Sequence, residues 1–342
     1  MKKYLLQENG NFYKANLHCH TTCSDGRRTP EEVKELYKSL GYSIVAYTDH
    51  DILLPHDDLT DDDFLALHGF EIEVNDPTCH DNLVIKTCHV CFIGIDPENI
   101  TQPFWHRTRY LFANAPKYRD QIKFDENEPD VVREYNGEFI TNMMKSAREK
   151  GFFVTYNHPT WSLESYTDYM AYDGMHAFEI YNGGCLAEGY DDYSPRVYDD
   201  MLMGGKKLYC IGADDNHNHR SPDSRRYDSG WAWTVIKADS LDYKDVTRAL
   251  VGGQFYASTG PEISELTFED GSITVKCSKA DKIVCNYGVR HAEIALDENG
   301  EGIYEATFGM KPEWKYCRIT VFGKDGSTAS TNAYFAEDLF NE

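Results

Sequence analysis

Four apolar runs in the first two-thirds of the chain each deliver a histidine at their C-terminal end, and this repetition constrains the fold more than any single motif. The first run ends in His18-Cys19-His20. Residues 44–48 run into Asp49-His50-Asp51, residues 153–157 into His158-Pro159, and residues 209–213 into Asp214-Asp215-Asn216-His217. Short apolar runs bounded by polar residues read as buried strands. Helical patterns separate them. Thr29 is placed as an N-cap, Pro30 as the first helical residue and Glu32 as the partner in a capping box. Val33, Leu36, Tyr37 and Leu40 follow at helical spacing, with Gly41 as the stop. Residues 139–150 repeat the order before Gly151 and a strand over 152–156. Runs at 177–181 and 208–211 read as later strands, and a last helix spans 243–251 before Gly252-Gly253. Alternating β and α units predict a parallel sheet, in the form of an α/β barrel or a close relative. Such folds keep their sites at the C-terminal ends of the strands.

Two stretches break the rhythm. Residues 97–138 mix Phe104, Trp105, Tyr110, Phe112 and Tyr118 with many charges. They are expected to form an inserted helical segment, either surface decoration or a cap over the site mouth. From about Gly260 short alternating runs are bounded by turn signals such as Asp270-Gly271 and Lys324-Asp325-Gly326, predicting a small all-β module. The expected division is therefore a barrel over 1–258, carrying the insert, and a β-sandwich-like accessory domain over 259–342. A length of 342 residues accommodates both.

Charge narrows the partners. With 34 basic and 57 acidic side chains the formal charge is −23, which disfavours nucleic acid and anionic membrane surfaces. No apolar run suggests a signal peptide or a membrane span, so the ten cysteines are expected as free thiols in a reducing cytoplasm. Cys88-His89-Val90-Cys91 lies in an apolar run beginning at Val84. Its two thiols would point to opposite faces of a strand, which argues against a zinc motif. The partner expected is a small molecule.

His18 and His20, two apart on a strand, share a face and can reach one ion. His50, His158, Asp215 and His217 come from the other three strand ends. Asp25-Gly26 lies just past the H-x-H turn, near enough to fold back over it. Glu71 and Glu73 share a strand face, so spacing alone leaves both open. His89, in the middle of an apolar run, would by itself read as a core histidine.

His18-Cys19-His20 with Ser24-Asp25-Gly26, Tyr47-Thr48-Asp49-His50-Asp51, Gly69-Phe70-Glu71, His89, Asn157-His158-Pro159 and Asp215-Asn216-His217 together resemble the PHP (polymerase and histidinol phosphatase) metallohydrolases. The resemblance covers roughly residues 13–220. It implies a distorted (β/α)7 barrel with two or three divalent ions, Mn, Fe or Zn, at its C-terminal rim. By position, His18, His20 and Asp215 would hold one ion, Glu71 would bridge it to a second held by His89 and His158, and Asp25, His50 and His217 would hold a third. Glu71 is preferred to Glu73 because the family's acid follows a Gly-x step. Asp25 stands where many members have His. Gly260-Pro261 and Ser330-Thr331-Asn332 are loosely similar to the CehA/McbA branch.

The chemistry implied is hydrolysis by a metal-bound hydroxide with no covalent nucleophile, and the chain has no G-x-S-x-G elbow. A phosphoesterase acting on a small phosphorylated metabolite is the leading expectation. The alternatives are a carbamate, ester or amide hydrolase using the same centre, and a metal-binding module without turnover. Arg28, Arg220 and Arg226, with neighbouring Arg27 and Arg225, are candidates for gripping a phosphate. Asp49 and His219 flank the ligands and are candidates for protonating a leaving group, against structural or solvated roles for both.

Overall fold

The computed structural model describes residues 2–78 and 85–341, so Val84, the first residue of the apolar run containing His89, lies outside the described residues. The chain opens with β1 (Lys3–Tyr4), β2 (Asn11–Asn16), α1 (Pro30–Ser39), β3 (Ile44–Tyr47), β4 (Leu65–Asn75) and β5 (Thr87–Gly94). It continues with α2 (Gly137–Glu149), β6 (Phe152–Tyr156), α3 (Tyr166–Tyr169), β7 (Ala177–Asn182), α4 (Gly183–Glu188), α5 (Pro195–Met203) and β8 (Tyr209–Ala213). Next come β9 (Trp233–Ala238), α6 (Tyr243–Val251), β10 (Phe255–Ser258), β11 (Ile263–Glu269), β12 (Ser272–Ala280) and β13 (Lys282–Tyr287). The chain closes with β14 (Ala292–Leu296), β15 (Ile303–Gly309), β16 (Tyr316–Phe322), β17 (Thr328–Thr331), β18 (Tyr334–Phe335) and α7 (Ala336–Phe340). Among the described residues no helix is long and apolar enough to cross a membrane.

Local signals act as their chemistry dictates. Thr29 and Glu32 form the reciprocal capping box at the start of α1, and Gly41 leaves the helix at φ +78°. In β3 the period of two sorts side chains cleanly. Ile44 and Ala46 face an inner core with Leu17, Leu67, Ile211 and Ile236, while Val45 and Tyr47 face α1 through Val33 and Tyr37. Val246 and Leu250 of α6 close the inner core on one side. On the outer face α2 buries Ile140, Met143, Met144 and Ala147 against Phe92, Phe152 and Val154.

The main sheet runs β10-β9-β2-β3-β4-β5-β6-β7-β8. It is mixed, where alternation predicted a parallel sheet. β5 pairs antiparallel with both β4 and β6, and β9 pairs antiparallel with β2. The connection over 76–86 is too short for the helical crossover that a parallel neighbour needs, which reverses β5. β2 and β8 share no ladder, but just beyond them the His20 N–H donates to the Asn216 carbonyl at 3.1 Å and the Asp215 N–H to the His18 carbonyl at 3.0 Å. Those bonds bring the first and last histidine motifs side by side.

The insert is not the helical segment expected. Between residues 97 and 136 the only helical turn is a 3₁₀ stretch, Ala115–Gln121. Pro97, Pro103, Pro116 and Pro129 punctuate it, each lacking the N–H that a helix interior requires. Side chains hold it instead. Trp105, Ala115 and Ile122 pack with Cys23, Ile52 and Leu54, and Gln102 bonds the backbone on both sides of Ile52.

Past β10 two sheets face each other across a shared core of Leu266, Val275, Phe308, Ile283, Ile319 and Val321. One is β1-β11-β12-β15; the other, β14-β13-β16-β17, continues through β17–β10 into the main sheet. A division at 258/259 therefore cuts a continuous sheet, and β1, from the N-terminus, pairs with β11 of the accessory sheet. The Ser330-Thr331-Asn332 motif acts at this junction. Asn332 accepts from the Cys210 N–H and donates to the Gly253 and Phe255 carbonyls.

Glu164 is part-buried beneath the hydroxyls of Tyr135, Tyr156 and Tyr172, all of which donate to it. Burial outweighs these bonds and raises its pKa to about 7. Between the usual glutamate value and about 7 the folded state binds this proton more tightly than the unfolded state, so the group's contribution to stability falls as pH rises through that window. Glu164→Gln is expected to flatten that slope in melting temperature measured from pH 5 to 8.

Candidate metal centre

The strand ends converge on Glu71. Its Oε1 lies 3.2 Å from His18 Nε2, 3.0 Å from His89 Nδ1 and 3.4 Å from His158 Nε2. Its Oε2 lies 3.3 Å from His20 Nε2 and 3.2 Å from His50 Nδ1. Asp215 Oδ1 sits 3.2 Å from His18 Nε2 and 3.0 Å from His20 Nε2, while Oδ2 is 3.7 Å from His158. Asp25 folds back as expected, 3.5 Å from His217, 3.9 Å from His50 and 4.0 Å from His20. All nine sequence-selected residues are thus brought together. Glu73, two residues beyond Glu71, lies farther out, 4.0 Å from His89 and more than a quarter exposed.

Ligand atoms within 4.8 Å of one another group as His20-Asp25-His50-His217, His18-His158-Asp215 and His50-Glu71-His89. His50 is shared by two of these sets because it faces both Asp25 and Glu71, while His20 faces Asp25, Glu71 and Asp215. Cys91 Sγ adds a fourth grouping with His18 and Glu71.

The donors fit divalent cations. His18 Nε2 and His20 Nε2 face each other at 3.1 Å. Buried His20 Nδ1, His50 Nδ1, Glu71 Oε2, His89 Nε2 and Asp215 Oδ1 make no hydrogen bond of sound geometry. An unsatisfied buried polar atom costs about 1–3 kcal/mol, and a shared cation would satisfy several at once. Against the cost of burial, His18, His89 and His50 hold Glu71 well below the usual carboxylate range, and His217 does the same for Asp25. Against burial again, Asp25 pushes His217 up to about 10. Despite its burial, His18 and His20 hold Asp215 down in the same way, so all three carboxylates are anionic at neutral pH.

Supporting groups lock this geometry. Asp49 accepts from the N–H and hydroxyl of both Thr21 and Ser24, folding the turn that returns Asp25. Gly26 is required in that turn, since a Cβ there would meet the His20 carbonyl oxygen at 2.6 Å. Asp49 is absent from the cavity wall and accepts four hydrogen bonds from that turn, a structural role in place of the proton-donor one. Asp51 pairs with Arg133 of the insert, and burial lifts its pKa to about 6 despite that cation. His158 and Asp215 sit at φ +25° and +51°, strained positions that their neighbours must maintain.

Glu179 was not selected from sequence. Its Oε1 lies 3.0 Å from His18 Nδ1, and its Oε2 accepts from the His158 N–H and from Asn182, which also reaches Asp215. The signal was an acid inside the apolar run 177–181. A carboxylate behind a ligand histidine fixes its tautomer and raises its basicity. Glu179→Gln is expected to weaken metal affinity about 10-fold, measured by competition with a chelator.

A cavity of about 350 Å³ opens over the cluster. Glu71, His50, His89, His158, Asp215 and His217 of the cluster line it, while His18 and His20 are buried and do not. Phe112 from the insert, Trp161, His219, Arg220 and Arg226 line the mouth together with Glu188 and Asp228. Arg28 does not line it, which removes one of the three expected phosphate contacts.

No family model and no curated protein matches the chain. Among solved structures it is similar to a two-domain protein from Bacteroides vulgatus, described as containing a predicted PHP-like metal-dependent phosphoesterase. That likeness has 15% identity and TM-score 0.44, over 97% of this chain and 98% of the other. A protein from Bifidobacterium adolescentis, described as a candidate metal-dependent phosphoesterase, matches at 17% identity and TM-score 0.37, over 61% of this chain and 90% of its own. An amidohydrolase from Chromobacterium violaceum matches at 16% identity and TM-score 0.36, over 59% and 87%.

Proposed function

We propose that this chain is a PHP-type metal-dependent hydrolase, with the barrel of that family, and that it releases phosphate from a small phosphorylated metabolite. The observation that carries the reading is the convergence of nine histidines and carboxylates from separate segments, five of whose buried nitrogen or oxygen atoms make no hydrogen bond among the described residues. Histidine and carboxylate donors suit two or three ions of Mn, Fe or Zn. Bound ions would act as Lewis acids and lower the pKa of a water ligand from about 16 to about 7. Glu71, with one oxygen toward His18, His89 and His158 and the other toward His20 and His50, is placed to bridge two of them. Arg220 and Arg226 stand at the mouth, where a guanidinium fork can orient a phosphate, and Phe112 and Trp161 narrow access for bulk water. Cationic groups at the mouth favour an anionic ester over a neutral carbamate or amide. Unpaired thiols at all nine described cysteines are in keeping with a reducing cytoplasm.

The test is phosphate release by stripped protein reloaded with Mn²⁺, over a panel of phosphomonoesters and nucleotides, with His18→Ala as control. Metal-dependent release that vanishes in a folded His18→Ala protein supports the reading. No release from protein carrying two or three ions overturns it in favour of carbonyl substrates.

A further inference from the structure

We propose that Cys23, Asp49 and His56 form a second metal site, selective for zinc, behind the His18–His20 turn and separate from the cavity. Their ligand atoms lie within 4.8 Å of one another. None of the three lines the cavity. They come from three segments: the turn after the H-x-H motif, the end of β3, and the loop entering the 3₁₀ turn Asp57–Leu59.

Two of the groups keep a donor atom open for an ion. His56 Nε2 is buried and has no hydrogen-bond partner among the described residues. Three of the four bonds that Asp49 accepts fall on Oδ1, so Oδ2, which takes only the Thr21 hydroxyl at 2.7 Å, keeps a lone pair free. The Cys23 side chain is 4% exposed, and the Tyr118 hydroxyl of the insert faces its thiol.

Charge and donor type choose the ion. On binding, the S–H bond breaks, the proton leaves to solvent and a sulfur–metal bond forms. One thiolate and one carboxylate then balance a dication, so the buried assembly carries no net charge. Sulfur, imidazole and a single carboxylate suit Zn²⁺ and not Mg²⁺ or Ca²⁺. The Tyr118 hydroxyl, which faces the thiol from the insert, would be the candidate fourth donor. An ion here would tie the turn carrying Asp25, the strand end carrying His50 and the insert to one point.

The test uses full-length protein stripped of metal and reloaded with Zn²⁺ for elemental counting, or with Co²⁺ for absorption. Wild type is expected to hold one more equivalent of zinc than Cys23→Ser and one more than His56→Gln. His56→Gln changes a half-buried side chain whose Nε2 has no hydrogen bond to lose, though its ring leaves Tyr47, and far-UV circular dichroism checks its fold. With cobalt, the thiolate charge-transfer band should disappear in Cys23→Ser and persist in Cys91→Ser, which alters the thiol beside His18 and Glu71. Equal zinc content in wild type and both variants overturns the proposal, as does a band that survives Cys23→Ser and is lost in Cys91→Ser.

Discussion

Glu71→Gln is expected to lower metal-dependent phosphate release by about 10³-fold and to reduce the ions retained after dialysis, while the protein stays folded. The carboxylate is 1% exposed and has five imidazole nitrogens within 3.4 Å. The amide keeps the shape but removes the negative charge and turns one oxygen into a donor facing other donors. Lewis-acid stabilisation worth several kcal/mol depends on that charge, and each 1.36 kcal/mol is tenfold in rate. Glu73→Gln, at the outer position on the same strand face, should change release by less than tenfold. Equal losses in the two variants would show that Glu71 is not the bridging acid.

The second large effect lies far from the cavity. Arg318 of β16 is buried and forks onto Asp199 of α5, with Nε and Nη2 each 2.7 Å from a carboxylate oxygen. Burial opposes its charge, but Asp199 more than compensates, so the guanidinium stays ionised. Asp199→Ala would leave that cation between the main and accessory sheets with only the Thr320 hydroxyl, 3.2 Å from Nη1, as a side-chain acceptor among the described residues. Breaking a buried pair from one side costs about 3–5 kcal/mol. Asp199 is itself 28% exposed, so the lower end, about 3 kcal/mol, is expected from denaturant unfolding. A loss below about 1 kcal/mol would mean that water solvates Arg318 once the carboxylate is gone.

Much of this molecule is legible along the chain because the relevant interactions are local. The capping box at Thr29 and Glu32 sets the start of α1, and the helix expected over 243–251 coincides with α6. Four histidines at four strand ends were visible because burial demands apolar runs, and a polar residue marks where each run leaves the core. Asp25 was legible as a candidate because it lies just past the H-x-H turn, near enough to fold back over it.

Other features depend on partners distant in sequence. A period of two places Glu71 and Glu73 on one face of β4 but cannot say how deep each lies; pairing with β5, and the other strand ends closing around Glu71, decide that. Glu179 reads as an anomalous acid in a strand until His18, 161 residues away, supplies its partner. The insert has helix-sized length but takes its shape from aromatic contacts with Cys23, Ile52 and Leu54. The sequence by itself determined which candidate histidines and acids fall at the ends of apolar runs and which of them share a strand face, since covalent spacing controls both. Only the tertiary structure decided which carboxylate sits at the centre, how the ligand sets overlap and that β5 runs backwards, because those outcomes follow from long-range strand pairing and packing.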